Sequence, residues 1–221
     1  MKHLCQIFND NLYVSVFAPI DSRMYVLIHN NNALMVDPCI DNEMMVYLKE
    51  SGVDKLTIIP THEHYDHISG VNWLKKAFDC TVICNRSCAE NMNNPKKNFS
   101  AMFEAMFLNN PEKLRQVKLL SVKGYSCTAD VTFEDSYKMD WHDHTIHIIS
   151  VPGHSNGSQC VLLDDDWIFT GDSLLRDNPV ITRLPGGCKK DYENITQPIL
   201  NKVCKGRTVF PGHGAEFKVE E

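Results

Sequence analysis

Apolar and polar positions follow two different periods along the N-terminal part of the chain, and these periods predict strands separated by helices. Apolar and β-branched runs that end at turn-forming residues predict strands. These runs cover residues 12–17, 24–29, 33–36, 56–60 and 81–84. Apolar residues spaced by three and four predict helices over 42–51, which would end before Gly52, and over 68–78. We therefore expect both a sheet and helices in this part of the chain.

The C-terminal part repeats these patterns after a longer intervening segment. Residues 131–151 and 159–170 have the pattern of antiparallel strands, and residues 191–204 have that of a helix. The intervening segment carries a helical pattern of its own. Since no linker, repeat or low-complexity tract interrupts the chain, we interpret residues 1–221 as a single domain with a helical insert at about 85–130.

One face of the predicted insert helix is apolar. At helical spacing it carries Phe99, Met102, Phe103, Met106 and Phe107. This face would either pack on the core or cap a substrate pocket, because Met and Phe side chains adapt to irregular apolar ligands. In the second interpretation Phe103 and Met106 contact the substrate.

The run 61–67, which reads Thr-His-Glu-His-Tyr-Asp-His, directly follows a predicted strand. Imidazole nitrogens and carboxylate oxygens are ligands of zinc and of iron. His62 and His64 share one face of an extended segment, so they can bind one ion together. A turn into the next helix would carry Asp66 and His67 towards a second ion. The run therefore predicts a metal site on a rigid element.

Three further candidate ligands each follow an apolar run and a glycine-containing turn. They are His154 and His213, which both follow Pro-Gly, and Asp172, which follows Gly. Glycine permits the tight backbone that brings a ligand close to an ion. Together with the histidine-rich run, these residues indicate more than one metal ion. Glu63 and Tyr65, which alternate with the ligands of that run, are assigned no role.

These motifs resemble those of the metallo-beta-lactamase superfamily, and most closely those of its glyoxalase II-like hydrolases. The family motif His-x-His-x-Asp-His is matched in full. The later motifs are matched by Pro152-Gly153-His154-Ser155, Phe169-Thr170-Gly171-Asp172-Ser173 and Pro211-Gly212-His213-Gly214. The resemblance spans nearly the whole chain. It implies an α/β fold, a four-layer αββα sandwich of two mixed sheets with outer helices and with the metals at one edge between the sheets.

Carried over residue by residue, the resemblance assigns seven ligands to two metal ions. The ligands are His62, His64 and His154 for the first ion, Asp66, His67 and His213 for the second, and Asp172 as a bridge between them. Every position holds the residue type that the family motif requires. We therefore expect a complete centre with two Zn²⁺ ions, while iron and manganese suit the same kinds of donor.

The function implied by the resemblance is that of a dinuclear metal-dependent hydrolase. It would cleave a thioester or ester with a hydroxide that bridges the metals, with Asp172 holding both ions and Asp66 orienting the hydroxide. Two enzyme alternatives stay open, an iron enzyme of the persulfide dioxygenase type and a lactonase. The alternative outside the enzymes is a metal-dependent sensor or scaffold.

The substrate is less well specified than the chemistry. Arg183 lies in a segment that looks like the short loop these hydrolases carry after the metal-binding Asp, and its guanidinium could bind an anionic group. Glyoxalase II has an additional helical domain after the position of His213, where this chain soon ends. We therefore disfavour glutathione thioesters and expect another small molecule as the substrate.

Composition and charge indicate which partners and which cellular compartment to expect. The net charge of -6 and the lack of a basic run disfavour a nucleic-acid partner. No apolar stretch has the length of a signal peptide or a membrane span. The odd number of nine cysteines fits reduced thiols, so we expect a cytoplasmic protein, as a monomer or a homodimer. His142 and His144 alternate on a predicted strand and are interpreted as solvent-facing rather than as a peripheral metal site.

Overall fold

Two mixed sheets form the centre of the protein in a computed structural model that describes residues 12–17 and 20–220 and the backbone of residues 5 and 6. The first sheet has the strand order β1 to β7. Its strands are β1 (Cys5–Gln6), β2 (Leu12–Phe17), β3 (Ser22–His29), β4 (Asn32–Val36), β5 (Lys55–Ile59), β6 (Asp79–Asn85) and β7 (Val131–Phe133). Strands β1 to β4 pair antiparallel, whereas β4 to β7 pair parallel.

The second sheet has the order β13-β12-β11-β10-β9-β8. Its strands are β8 (Ser136–Trp141), β9 (His144–Ser150), β10 (Gln159–Leu163), β11 (Trp167–Gly171), β12 (Thr208–Pro211) and β13 (Phe217–Lys218). Only β11 and β12 run parallel; the other neighbours are antiparallel. Both sheets are therefore mixed, as the family resemblance implied.

Helices cover the outer faces of the two sheets. They are α1 (Asn42–Glu50), α2 (Tyr65–Ile68), α3 (Val71–Lys75), α4 (Arg86–Met92), α5 (Pro111–Leu120), α6 (Lys189–Asp191) and α7 (Gln197–Val203), with a 3₁₀ helix at Phe103–Phe107 and a π-helical turn at Tyr192–Thr196. Within the described ranges, no helix is both long enough and apolar enough to cross a membrane.

Alternation of side chains along the strands builds the layers. On β4, Leu34 faces the second sheet, whereas its neighbour Met35 joins the cluster under the N-terminal helices. On β10, Val161 faces the first sheet and Leu162 packs with Leu200 of α7. These strands are buried on both faces, which gives helices, sheet, sheet and helix in succession. The four-layer αββα sandwich is thereby confirmed.

The strands predicted from the apolar pattern are confirmed, but the helix predicted over 68–78 is wrong. The chain forms the two short helices α2 and α3 instead, separated at Gly70. The Gly70 N–H donates to the carbonyl of Pro38 at 2.9 Å, and a Cβ at Gly70 would lie 2.7 Å from the Cys39 carbonyl oxygen. The helical path therefore divides where the backbone packs against another loop.

The amphipathic helix expected over 99–107 is also wrong. Only the single 3₁₀ helix of that segment forms, and Phe99 adopts a left-handed backbone with φ of 67°. The Asn98 side chain donates to the carbonyl of Met92 and accepts from the Ser100 N–H, both at 2.9 Å. Such side-chain bonds compete with helix formation because they offer the backbone other partners.

The expectation that residues 131–151 are all antiparallel strands needs one correction. Strands β8 and β9 are antiparallel, but β7 pairs parallel with β6 at the edge of the first sheet. The insert thus returns the chain to the first sheet before it crosses to the second.

Carboxyl ends of parallel strands position the candidate ligands. Strands β4 and β5 of the first sheet and β11 and β12 of the second end at the same edge of the sandwich. There the two sheets are joined by the Arg23 N–H, which donates to the Gly212 carbonyl at 2.9 Å. The Tyr25 hydroxyl also donates to the Pro211 carbonyl at 2.7 Å. The loops that leave these strands are therefore held close together.

Candidate metal centre

Three histidines form the first group of candidate ligands. Nδ1 of His64 lies 3.0 Å from Nε2 of His62 and 3.0 Å from Nε2 of His154. Burial lowers the pKa of all three imidazoles, with that of His64 falling to about 3. They are therefore neutral at physiological pH, which is the form that binds a cation.

The second group consists of Asp66, His67 and His213. Oδ2 of Asp66 lies 3.1 Å from Nε2 of His67 and 3.5 Å from Nε2 of His213. Burial alone would lower the pKa of both histidines, but the adjacent carboxylates dominate and raise that of His213 to about 10. Burial would raise the pKa of Asp66, but the two histidines hold it well below its usual range. Without a cation the carboxylates therefore favour protonated imidazoles at His67 and His213, and a bound cation would take the place of those protons.

Asp172 lies between the two groups. Its Oδ2 atom is 3.5 Å from Nε2 of His154, and its Oδ1 atom is 3.5 Å from Nε2 of His213. Burial would raise its pKa, but the neighbouring imidazoles, His213 first among them, hold it well below the ordinary value. The carboxylate thus presents one oxygen to each group.

Hydrogen bonds to Nδ1, on the side of each imidazole that faces away from the centre, leave Nε2 available to bind a metal ion. Nδ1–H of His67 donates to Asp37 at 2.9 Å, that of His154 donates to the Ile181 carbonyl at 2.8 Å, and that of His213 donates to the Ile20 carbonyl at 3.0 Å. Each Nε2 atom therefore turns a lone pair towards the centre when the ring is neutral. Such outer partners orient metal-binding imidazoles and raise their basicity.

The chemistry of this centre fits metal ions. Nε2 of His67 and Oδ1 of Asp172 are buried and make no hydrogen bond with any described residue. Buried polar atoms without partners are costly, so their convergence calls for a further group. Three combinations bring candidate ligand atoms within 4.8 Å of one another, namely His62-His64-His154, His62-His67-Asp172 and Asp66-His67-His213. Nitrogen and carboxylate donors of this kind suit Zn²⁺ and iron.

Gly212 allows the loops to approach this closely. A Cβ at Gly212 would lie 2.4 Å from Oδ1 of Asp172 and 2.8 Å from Cε1 of His67. A larger residue here would push two candidate ligands apart. The glycine before His213 is therefore required by this close approach.

Comparison with known proteins agrees with this geometry. The sequence profile of the family described as the metallo-beta-lactamase superfamily matches residues 19–213. The chain belongs to the metallo-beta-lactamase superfamily. The match includes every one of the seven candidate ligands.

Relatives of this superfamily chain include hydrolases. It is 27% identical over 203 residues to the probable metallo-hydrolase YqgX of Bacillus subtilis, covering 91% of this chain and 89% of that protein. It is 31% identical over 198 residues to a hydroxyacylglutathione hydrolase of Prochlorococcus marinus, covering 87% of this chain and 64% of that protein. Among solved structures, the BLEG-1 B3 metallo-beta-lactamase superimposes with a TM-score of 0.72, at 23% identity and 93% coverage of both chains. That similarity supports the superfamily fold.

A cavity of about 780 Å³ opens beside the superfamily ligands His154, Asp172 and His213. Its remaining walls come from the turn before β3, from the loop that follows β11 and, at Gly214, from the loop that follows β12. They are Ile20, Asp21, Leu175, Asn178, Pro179, Val180, Ile181, Thr182, Arg183 and Gly214. Arg183 is exposed there and makes no ion pair with any described residue. The loop after Asp172, rather than the insert, therefore shapes this cavity.

The other two candidate substrate residues lie away from this cavity. Phe103 is only 1% exposed and packs in an edge-to-face contact on Tyr65, with ring centroids 5.0 Å apart. Met106 is 50% exposed on the surface of the insert. Neither residue lines the cavity, so their positions do not support contact with the substrate. Phe103 packs on the core, as the alternative interpretation expected, whereas Met106 stays exposed.

The histidines outside the centre have other partners. Nδ1 of His144 lies 2.7 Å from Oδ2 of Asp164, and His142 stacks on His29 with ring centroids 4.2 Å apart. Among the described residues, none of the three groupings of potential metal ligands includes either histidine. His142 is exposed and His144 is half-buried, which agrees with their interpretation as solvent-facing residues rather than a peripheral metal site.

Sequence reasoning missed the roles of three buried residues near the candidate ligands. Asp37 accepts from His67, while Glu63 and Tyr65 are fully buried rather than displayed towards the site. The Tyr65 hydroxyl donates to the Leu120 carbonyl at 3.2 Å and accepts from the Val122 N–H at 2.8 Å. The sequence did contain a signal for Glu63 and Tyr65. Both alternate with the candidate ligands directly after a buried strand, so their side chains face the interior.

Proposed function

We propose that this protein is a dinuclear metal-dependent hydrolase that cleaves a thioester or a related ester. The observation that carries the proposal is the placement of Asp172, whose two oxygens face the two separate ligand groups. A carboxylate in that position is suited to bridging two cations. His62, His64 and His154 would hold one ion, and Asp66, His67 and His213 would hold the other.

Divalent cations bound there would polarise the substrate carbonyl and lower the pKa of a water molecule to about 7. The contribution of the chain is to hold and orient the reacting groups. The low pKa of Asp66 keeps its carboxylate ionised, so that it can accept a hydrogen bond from the attacking water and orient it. Water oxygen bonds to the carbonyl carbon, the bond from that carbon to sulfur breaks, and a proton from the water ends on the departing thiolate.

The cavity walls support water as the nucleophile. None of the described residues that line the cavity is Ser or Cys, the side chains most suited to covalent acyl transfer. The walls are apolar at Ile20, Leu175, Val180 and Ile181, which suits an acyl chain. Arg183 would bind an anionic group on the remainder of the substrate, because no described residue neutralises its charge.

The relatives and the composition support narrower parts of the proposal. A relative named hydroxyacylglutathione hydrolase supports a thioester among the substrates, and the nitrogen and carboxylate donors support Zn²⁺. The eight cysteines with described side chains are all free, which supports a reducing compartment such as the cytoplasm. Apolar side chains from both sheets pack together in one buried cluster, which supports a single domain over residues 1–221.

The proposal is tested with protein purified without added metal. Its metal is counted, and its activity is measured on acyl thioesters, carboxylic esters and lactones. We expect thioester or ester hydrolysis that is lost on treatment with a chelator and restored by Zn²⁺. Oxygen consumption with a persulfide and one iron per chain would favour the dioxygenase alternative. A lack of activity on every substrate by the fully metallated protein would favour a sensor or scaffold.

A further inference from the structure

A buried carboxylate lies directly beside the first ligand group. Glu63 separates His62 from His64 in the sequence, and its side chain is completely buried. Burying a carboxylate is unfavourable unless hydrogen bonds replace the water it loses. The position is therefore informative, since an apolar residue of similar size would fill the same space at a lower desolvation cost.

Two side chains supply the hydrogen bonds that Glu63 requires. Nδ2 of Asn91 in α4 donates to Oε1 of Glu63 at 2.9 Å. The Ser155 hydroxyl donates to Oε2 at 2.9 Å, and Ser155 directly follows His154 in the chain. One carboxylate thus connects the loop that carries His62 and His64 to the loop that carries the third ligand of the group.

The bond to Ser155 is itself supported from behind. The hydroxyls of Ser155 and Ser158 lie 3.0 Å apart, and the Ser155 N–H donates to the Ser158 hydroxyl at 3.1 Å. Asn91 also donates to Oδ1 of Asn156 at 2.6 Å. The loop after His154 is therefore attached to the carboxylate through two side chains rather than one.

The backbone of this loop closes over the carboxylate. A Cβ at Gly157 would lie 2.3 Å from Oε2 of Glu63 and 2.6 Å from the Cα of Cys88. Only glycine permits this approach, so the loop and the carboxylate fit one another closely. Packing of this kind leaves the Glu63 side chain little freedom to move.

We propose that Glu63 is a positioning residue that sets the separation between His154 and the His62–His64 pair. This inference rests on one part of the proposed function, namely that these three histidines hold one metal ion. The carboxylate touches no reacting atom; it acts through the loop of His154. One oxygen of Glu63 accepts from Asn91 and the other accepts from Ser155, and both hydrogen bonds are needed to fix the loop of His154. They thereby keep Nδ1 of His64 at 3.0 Å from Nε2 of His62 and from Nε2 of His154.

The test measures Zn²⁺ affinity at each ligand group separately. In a His213→Ala background only the first group is complete, and in a His154→Ala background only the second is complete. Glu63→Gln keeps the size of the side chain but offers one acceptor to two donors. We expect this substitution to weaken Zn²⁺ binding by about 10–100-fold in the first background and to leave it unchanged in the second.

Ser155→Ala provides a second and milder variant. We expect it to weaken binding at the first group in the same direction, but to have a smaller effect once Glu63→Gln is present, because the two act through one hydrogen bond. Glu112→Gln, an exposed position on α5, is the matched control and should change neither affinity. Thermal unfolding of each metal-free variant shows whether it is folded.

Two results would overturn the proposal. One is an equal loss of affinity at both ligand groups, which would indicate a general structural role. The other is unchanged affinity at the first group in Glu63→Gln or, if that variant does not fold, in Ser155→Ala. Because the measurement uses Zn²⁺ alone, failure to hydrolyse any thioester or ester would contradict the proposed function and leave this inference standing.

Discussion

The carboxylate of Asp37 holds the imidazole of His67 in one orientation. Oδ2 of Asp37 accepts the hydrogen bond from Nδ1 of His67 at 2.9 Å, and the same carboxylate accepts from the backbone N–H and the hydroxyl of Thr61. Asp37 adopts a left-handed backbone with φ of 55°, which is uncommon outside glycine. Such a conformation persists where the surrounding contacts require it. Nε2 of His67 is thereby directed at the carboxylates of Asp66 and Asp172.

Replacing Asp37 with Asn should weaken the second metal site. Asn tolerates the same backbone, but it has one acceptor oxygen for three donors, so His67 loses its fixed orientation. We expect Zn²⁺ affinity at the group that contains His67 to fall by about 10–100-fold. Competition with a chromophoric chelator measures it, and Asp143→Asn, at an exposed turn, is the control. Equal affinities in the parent and the Asp37 variant would refute this role.

Replacing Asp172 with Ala should remove both the link between the groups and the activity. The substitution deletes the two oxygens that face His154 and His213. We expect fewer than two Zn²⁺ ions per chain and a fall in kcat of roughly 100-fold or more. Metal analysis and steady-state kinetics on the best thioester measure these changes. Unchanged turnover in this variant would be incompatible with a bridging role.

The metal-free protein should be most stable near pH 6.5. Burial lowers the pKa of His64 to about 3 in the folded protein. As pH falls from 6.5 towards 3, the unfolded chain takes up a proton at this position before the folded chain does, so the folded state loses stability. Burial opposes protonation of His213, but Asp172 and Asp66 raise its pKa to about 10, so its contribution is lost as pH rises from 6.5 through 10. Thermal midpoints measured with a chelator present, from about pH 5 to 9, test this. A midpoint that rises steadily across the range would contradict it.

Arg183 should affect affinity for anionic substrates alone. Its guanidinium lines the cavity without an ion-pair partner among the described residues. Arg183→Met should raise KM by roughly tenfold for thioesters with a carboxylate on the leaving group, in line with a charge-assisted hydrogen bond. A neutral thioester should show no change. Arg176→Met, which lies outside the cavity lining, is the matched control. Equal effects on charged and neutral substrates would argue against direct contact.

The candidate ligands could be selected from the sequence because each of them lies next to a local signal, and the structure brings them together. His154, Asp172 and His213 follow glycine turns at strand ends, and parallel strand ends meet at one edge of a sheet. The contact between Asp37 and His67 spans 30 residues and depends on the parallel register of β4 with β5, which no local pattern encodes.

The insert was predicted least well for a related reason. A repeat of Phe and Met at helical spacing indicated one amphipathic helix, yet the hydrogen bonds of Asn98 with Met92, Ser100 and Tyr125 hold the backbone in another path. One of these partners, Tyr125, lies 27 residues away in the chain. Hydrophobic periodicity therefore identified the sheets, whereas side-chain to backbone bonds determined the insert.

Metal content and activity measured in the same samples test whether two ions bridged by Asp172 are required for hydrolysis. Zn²⁺ is added stepwise to metal-free protein, and hydrolysis of the best thioester or ester substrate is measured at each ratio. We expect activity to rise until two ions are bound per chain, and we expect Asp172→Ala to abolish the second part of the rise. Full activity with one ion per chain, in the parent and in Asp172→Ala alike, would contradict a dinuclear centre bridged by Asp172.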